Sequence, residues 1–515
     1  MIYPIGIQSF PEIIRRGLAY VDKTALVHDL ANTFKYVFLS RPRRFGKSLL
    51  VSTLASYFEG EKELFRGLAL EKLEASWDKY PVLRFDFAKA PYDAPEQLRN
   101  GISLMLMKYE AIYGKGKDEA EPNERLEGII SRACEKTGRQ AVVLIDEYDS
   151  PLLDVGDAAS FEGIQKVLKN FYSPLKSCDE RLRFVFVTGI TRFSQIGILS
   201  GLNNLKAISM NPAYHAICGI TEEELRSELG EGVRQFAQAN SISADAALER
   251  LRENYDGYHF AKNCPGLYNP FSLLNALADR AVGNYWFSTG TPTALIKMLK
   301  KFDVPAEGLT RQWLSSADFD LPTQEAQSPS AFLYQSGYLT IKDYDPVGDL
   351  YQLDLPNREV STGFWHALIP LYVGRTTHGT ATTVVARMWT SITKDDMDGA
   401  LRCMQEFLGT VPYARGTNTE GHYQTVLFVI FKLLGKFADV EVHTARGRVD
   451  VVIYAARTIF VIEVKLGKSA QAALFQVEKM GYADRFAQLG KKVVKVGVNF
   501  SPETRTISDW KIAGE

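Results

Sequence analysis

The stretch that most constrains the fold is short: YVFLS at 36–40, followed by RPRRFGKSLL at 41–50. An apolar run of β-forming residues, a Pro/Arg/Gly loop and then KSLLVSTLASYF, apolar at helical spacing, reads as strand, loop and helix. PVLRFDFA (81–88) alternates as a second strand, and helical patterns cover broadly 95–113 and 123–137. AVVLID (141–146) is continuously apolar and ends in acid, which suits a strand buried on both faces; RLRFVFVTGI (182–191) is another. Strands alternating with helices in this way predict a parallel α/β sheet covered on both faces.

The loop ends in Gly46-Lys47-Ser48, yet Arg41 stands where a phosphate-binding loop carries its first glycine. Such a loop works because backbone N–H groups and a helix N-terminus converge on an anion. Gly46 lets the backbone come close, Lys47 would reach the outer phosphates, and Ser48 would hold Mg²⁺. The plainer alternative is a short run that merely starts a helix. Two features favour phosphate: the strand–loop–helix setting, and VVLIDE further along the chain. In that second motif Asp146 would bind Mg²⁺ and Glu147 would orient an attacking water. At the end of the next strand, Thr188 is a candidate sensor of the γ-phosphate and Arg192 a candidate for compensating charge. PVLRFDFA lies between the two motifs in sequence. This suggests an ATPase-type sheet with an extra strand beside the loop strand, rather than a small nucleotide kinase.

At 515 residues the chain is too long for one core, so three or more folded units are expected. Net charge is −1, which gives no global pull toward nucleic acid or membrane. Residues 401–515 carry 16 Lys+Arg against 11 Asp+Glu, a local excess of +5 that suits a polyanionic partner or an ordinary solvated surface. The cysteines at 134, 178, 218, 264 and 403 never form CxxC, which argues against a disulfide framework or a structural zinc site. The best apolar run, VLFVIF at 426–431, is far short of the roughly 20 residues that cross a bilayer. The N-terminus MIYPIGIQSF lacks the pattern of a signal peptide, so a cytoplasmic protein is expected.

From about 216 the pattern turns to helices and loops, with Thr221 and Glu224 forming a capping box. Residues 291–400 read as mainly helical with one strand-like piece near YLTIKDY. The segments YVDKT, SRPRRFGKSLL, VVLIDEYDSPL, TGITRFS, LNNL, YDGYHF and YNPFSLLNAL resemble, in that order, the bacterial AAA-ATPase-like family. The resemblance spans roughly 3–290. Family members write their loop as RPRRFGKS, so Arg41 is its normal form, and the neighbouring Arg43 and Arg44 would add positive charge for ATP. The resemblance implies an ATPase domain over 1–215 and a helical lid over 216–290. It also implies a nuclease domain of the PD-(D/E)XK superfamily over 401–515.

The residues there support a second site independently. In GRVDVVIYAARTIFVIEVKL, Asp450 lies in one predicted strand, and Glu463-Val-Lys465 ends the next after a turn near 455–457. Strand side chains alternate, so Glu463 and Lys465 share a face, and a hairpin can bring Asp450 beside them. Two carboxylates on adjacent strands suit Mg²⁺, and Lys465 can position water or offset developing charge. Glu-x-Lys is also a common solvent-facing pair. The apolar setting argues against that, because charges on an inner face need partners or a metal. The resemblance further implies that Asp450 and Glu463 are metal ligands, Lys465 the catalytic lysine, Gln476 a residue that helps place the water, and Glu420 an additional acid. His422 and His443 are more ordinary as surface or core residues, and Arg446 and Arg448 contact phosphates or flank a turn.

The reading is an ATPase joined to a Mg²⁺-dependent nuclease acting on nucleic acid, DNA in the first instance. The alternative is an ATP-driven switch that binds nucleic acid without cutting it. A small-molecule kinase would leave Asp450, Glu463 and Lys465 unexplained. Assembly with further copies of the chain stays open.

Overall fold

The computed structural model describes residues 1–89, 92–153, 155, 157–191, 204–287, 293–302, 306–320, 328–373, 378–410, 428–434, 438–444, 447–504 and 506–513. The chain divides into two compact units: Met1–Ala294 with Thr310–Glu359, and Leu295–Leu309 with Val360–Glu515.

The first unit is built on a parallel sheet of five strands: β1 (Tyr36–Ser40), β2 (Val82–Asp86), β3 (Ala141–Asp146), β4 (Leu182–Gly189) and β5 (Lys206–Ala207). Their order is β2-β3-β4-β1-β5. Burial follows the sequence pattern: β1 and β3 are buried throughout, whereas the alternating β2 is half-buried, as suits an edge strand. The extra strand beside β1, between it and β3, is β4, and β2 takes the far edge. Helices Pro95–Tyr113, Pro122–Thr137 and Ala158–Tyr172 share a core with this sheet, in which Ile102, Ile129 and Phe171 join Phe85, Val143 and Val185.

Helices Glu222–Ser227, Gly230–Ala239, Ala244–Tyr255 and Pro270–Asp279 pack around Leu225, Phe236, Leu251 and Leu273. The capping box is present: Glu224 N–H donates to Thr221 Oγ1 at 3.1 Å, and Thr221 N–H to Glu224 Oε2 at 2.8 Å. The strand-like YLTIKDY forms β7 (Thr340–Asp345). It belongs to an antiparallel sheet with β6 (Gln312–Ser315) and β8 (Leu350–Asp354), ordered β6-β8-β7. Those two partners are too short to show a period of two in the sequence, so the 291–400 pattern read as helical around a single strand.

The second unit holds a five-stranded mixed sheet of β9 (Ala438–Thr444), β10 (Gly447–Tyr454), β11 (Thr458–Leu466), β12 (Lys492–Ser501) and β13 (Thr506–Ala513). It is ordered β13-β12-β11-β10-β9; β11 and β12 run parallel, and the other pairs are antiparallel. The helix Ala470–Lys479 joins β11 to β12 and packs on both. One residue sets how closely it packs. A Cβ at Gly497, the neighbour of Glu463 in the β11–β12 register, would lie 2.2 Å from Ala470 O and 2.5 Å from Leu474 N. Both are backbone atoms that no rotamer change can move aside. Gly497→Val is therefore expected to lift this helix and to destabilise the unit by about 1–3 kcal/mol, read from urea unfolding. A midpoint unchanged from wild type would show that the helix does not need this glycine.

Candidate functional site

The loop from Arg41 to Gly46 leaves β1 and turns into the helix Lys47–Phe58 through a left-handed Gly46 (φ +92°). Arg41 is held from behind. Although almost wholly buried, it donates from Nη1 to the carbonyls of Ser40 (3.0 Å) and Ser209 (2.7 Å) and from Nη2 to those of Tyr214 and His215. Its guanidinium also stacks 4.3 Å from the Phe260 ring centroid. Five planar N–H donors allow one side chain to do this, which lysine cannot match. Arg41 therefore anchors the loop rather than facing a phosphate. Of its neighbours, Arg43 is exposed, and Arg44 lies over the Phe271 ring with Nη1 near Tyr285 O.

Lys47 is 3% exposed; its Nζ donates to Arg41 O at 3.1 Å and Pro42 O at 3.2 Å and forms an ion pair with Glu147 Oε1 at 3.2 Å. Asp146, at the end of β3, is 2% exposed, and its Oδ1 has no hydrogen-bond partner. Burial raises its pKa to about 6, while the Ser48 hydroxyl draws it back down. Glu147 adopts φ +50°, a conformation that costs a residue with a Cβ about 1–2 kcal/mol. Thr188 is fully buried, and its Oγ1 donates to Leu39 O of β1 at 2.8 Å. Arg192 lies outside the described residues.

A largely apolar cavity of about 90 Å³ opens beside the loop. Lys23, Phe45, Gly46, Cys218 and Gly219 are among the residues that line it. The N-terminal segment and the helical region are tied together at its rim by Lys23 Nζ and Glu224 Oε1, 2.5 Å apart.

In the second unit, β10 and β11 pair antiparallel with Val451 opposite Ile462. The paired register ends there, and Asp450 and Glu463 are the next residues on the two strands, near enough for the Asp450 charge to act on Glu463. Asp450 Oδ2 accepts from Val464 N at 2.8 Å. Glu463 is 2% exposed, and its Oε1 accepts from Lys465 Nζ at 2.9 Å and from Gln476 Nε2. Its other oxygen, Oε2, is buried without a hydrogen-bond partner. Burial and, after it, the charge of Asp450 push the Glu463 pKa up, while Lys465 pulls it down. Asp450, Glu463, Lys465 and Gln476 thus come together. Among the described residues no group of three or more acid, His or Cys side chains has metal-site geometry. Glu420, His422 and Arg446 lie outside the described residues.

Both sites fit a divalent cation. At each one a buried carboxylate oxygen, Asp146 Oδ1 or Glu463 Oε2, has no hydrogen-bond partner, and such an oxygen suits a hard divalent cation. Sequence reasoning missed Asp149, a fully buried acid in VVLIDEYDSPL. Its signal was a third acid, three residues after Asp146, inside an otherwise apolar stretch.

Comparison with known proteins agrees with this geometry. Residues 4–199 match a family model described as a predicted AAA-ATPase, and residues 418–510 match the PD-(D/E)XK nuclease superfamily. A protein of Azotobacter chroococcum mcd 1, described as an uncharacterized protein in the vnfD 5' region, is 32% identical over 519 residues, covering 98% of this chain and 97% of that one. The chain belongs to the AAA-ATPase-like family and carries a PD-(D/E)XK nuclease superfamily domain at its C-terminus. No helix among the described residues is long and apolar enough to cross a membrane.

Proposed function

We propose that this chain hydrolyses ATP in its N-terminal half, cleaves DNA in its C-terminal domain, and uses nucleotide state to gate the cut. The observation that carries the reading is that, of three buried carboxylate oxygens without a hydrogen-bond partner among the described residues, two, Asp146 Oδ1 and Glu463 Oε2, fall on the two motifs. Leaving a charged oxygen buried without a partner is costly, and a bound cation would remove that cost.

In the ATPase part (1–215, with a helical lid over 216–290), the loop N–H groups and Lys47 would bind the phosphates, and the apolar cavity beside Gly46 would take the base. An arriving phosphate competes with Glu147 for Lys47, and a Glu147 released from that pair can hold the attacking water. Ser48 and Asp146 would hold Mg²⁺. In the nuclease part (401–515), Asp450 and Glu463 would hold Mg²⁺, which when bound polarises the phosphodiester and lowers the pKa of water. Lys465 and Gln476, both bonded to Glu463, would fix that carboxylate and position the water.

Gating is tested by Lys47→Ala. DNA cleavage that depends on ATP in the wild type should lose that dependence in the variant, scored on supercoiled and linear DNA with and without ATP and Mg²⁺. Unchanged cleavage and unchanged ATP dependence would defeat the gating. Tight DNA binding by the wild type without any cutting would favour the nucleotide-driven switch instead.

A further inference from the structure

The turn that carries Glu147 is fastened to the end of β4 at several points. Tyr148 N–H donates to Thr188 O at 3.1 Å, and its phenol hydroxyl donates to Thr191 O at 3.0 Å. Asp149 makes the larger contribution. It is fully buried, and its Oδ2 accepts from Ile190 N (3.1 Å), Thr191 N (2.6 Å) and Thr191 Oγ1 (2.5 Å). The fit leaves no slack. A Cβ at Gly189 would stand 2.3 Å from Asp149 Oδ1 and 2.7 Å from the Tyr148 ring.

Glu147 sits between these anchors and β3, with a positive φ that a non-glycine residue does not adopt by preference. Such a conformation persists only where its surroundings over-determine it. Here the surroundings are the carboxylate of Asp149 and the hydroxyl of Tyr148. From this the geometry points to Asp149 as a positioning residue for ATP hydrolysis. By capping the two N–H groups that follow β4, it holds the 147–149 turn so that the Glu147 carboxylate faces Lys47. Asp149 does not touch the nucleotide. It acts through Glu147, and the assignment rests on the ATPase reading given above.

The test measures phosphate release together with binding of a fluorescent ATP analogue. Asp149→Asn keeps the shape but removes the charge and, with the amide oxygen in the Oδ2 position, turns an NH2 donor toward Ile190 N, which donates to Oδ1 at 3.3 Å. It should lower kcat by about tenfold to a hundredfold while the analogue's Kd stays within about threefold, since small misplacements of a catalytic group act on turnover. Thr191→Val, which removes a single hydroxyl donor, should lower kcat by about threefold. Wild-type turnover in a folded Asp149→Asn variant would overturn the assignment, as would a loss of turnover matched by the loss of analogue binding. If Asp149→Asn does not fold, Thr191→Val and Tyr148→Phe carry the test, and full turnover in both overturns it. Glu147→Gln separates the two levels. If it turns over ATP like wild type, the hydrolysis reading fails and Asp149 loses its role. If it is inactive while Asp149→Asn is normal, only the positioning role fails.

Discussion

Glu463→Gln is expected to reduce DNA cleavage by about a thousandfold or more, with ATP turnover unchanged. The amide keeps the volume of the carboxylate and can still bond Lys465 or Gln476 through its oxygen. It cannot supply negative charge at the position of Oε2, which now lacks any partner. Without that charge the Asp450 carboxylate alone is left to hold a divalent ion, and Lys465 loses the acid 2.9 Å from its Nζ. The substitution removes transition-state stabilisation rather than the fold, because burying a neutral amide costs less than burying a charge. Plasmid nicking followed over a Mg²⁺ titration is the measurement. Cleavage that persists at any Mg²⁺ concentration would show that the sheet face of Asp450 and Glu463 is not where phosphodiesters are cut.

Glu147→Gln should lower ATP hydrolysis by about a hundredfold to a thousandfold while preserving nucleotide binding. This carboxylate is paired with Lys47 in the structure, so its removal also takes away a competitor for the lysine. Affinity for ATP should hold or increase, and phosphate release should nearly stop. Parallel equilibrium binding and phosphate-release measurements separate these effects. A variant that loses ATP binding together with turnover would make Glu147 a structural partner of Lys47 and not the holder of water.

How much of this was legible in the sequence depends on how local each interaction is. The hairpin site was readable because strand periodicity puts Glu463 and Lys465 on one face and antiparallel pairing brings Asp450 across, all within some fifteen residues of chain. The central strands were readable because burial on both faces demands continuous apolar runs, as in AVVLID. Strand order was not. β2 and β4 carry no local mark saying which lies beside β1, and that choice is made by packing over more than 140 residues. The work of Arg41 was hidden for the same reason. Its acceptors at Ser209, Tyr214 and His215 are far along the chain, and a run of arginines next to a phosphate loop suggests anion binding before anchoring. Gly497 looks like any glycine inside a strand until the helix above it is in view.

Arg41 has a consequence for how quickly the protein can respond. A loop fastened by one guanidinium to the distant carbonyls of Ser209, Tyr214 and His215 is held in shape by the protein's own bonds, so on the proposed ATPase reading capture need not wait for a loop to order itself. Occupancy would then track the surrounding supply of triphosphate promptly, and the slower events would be those that follow capture.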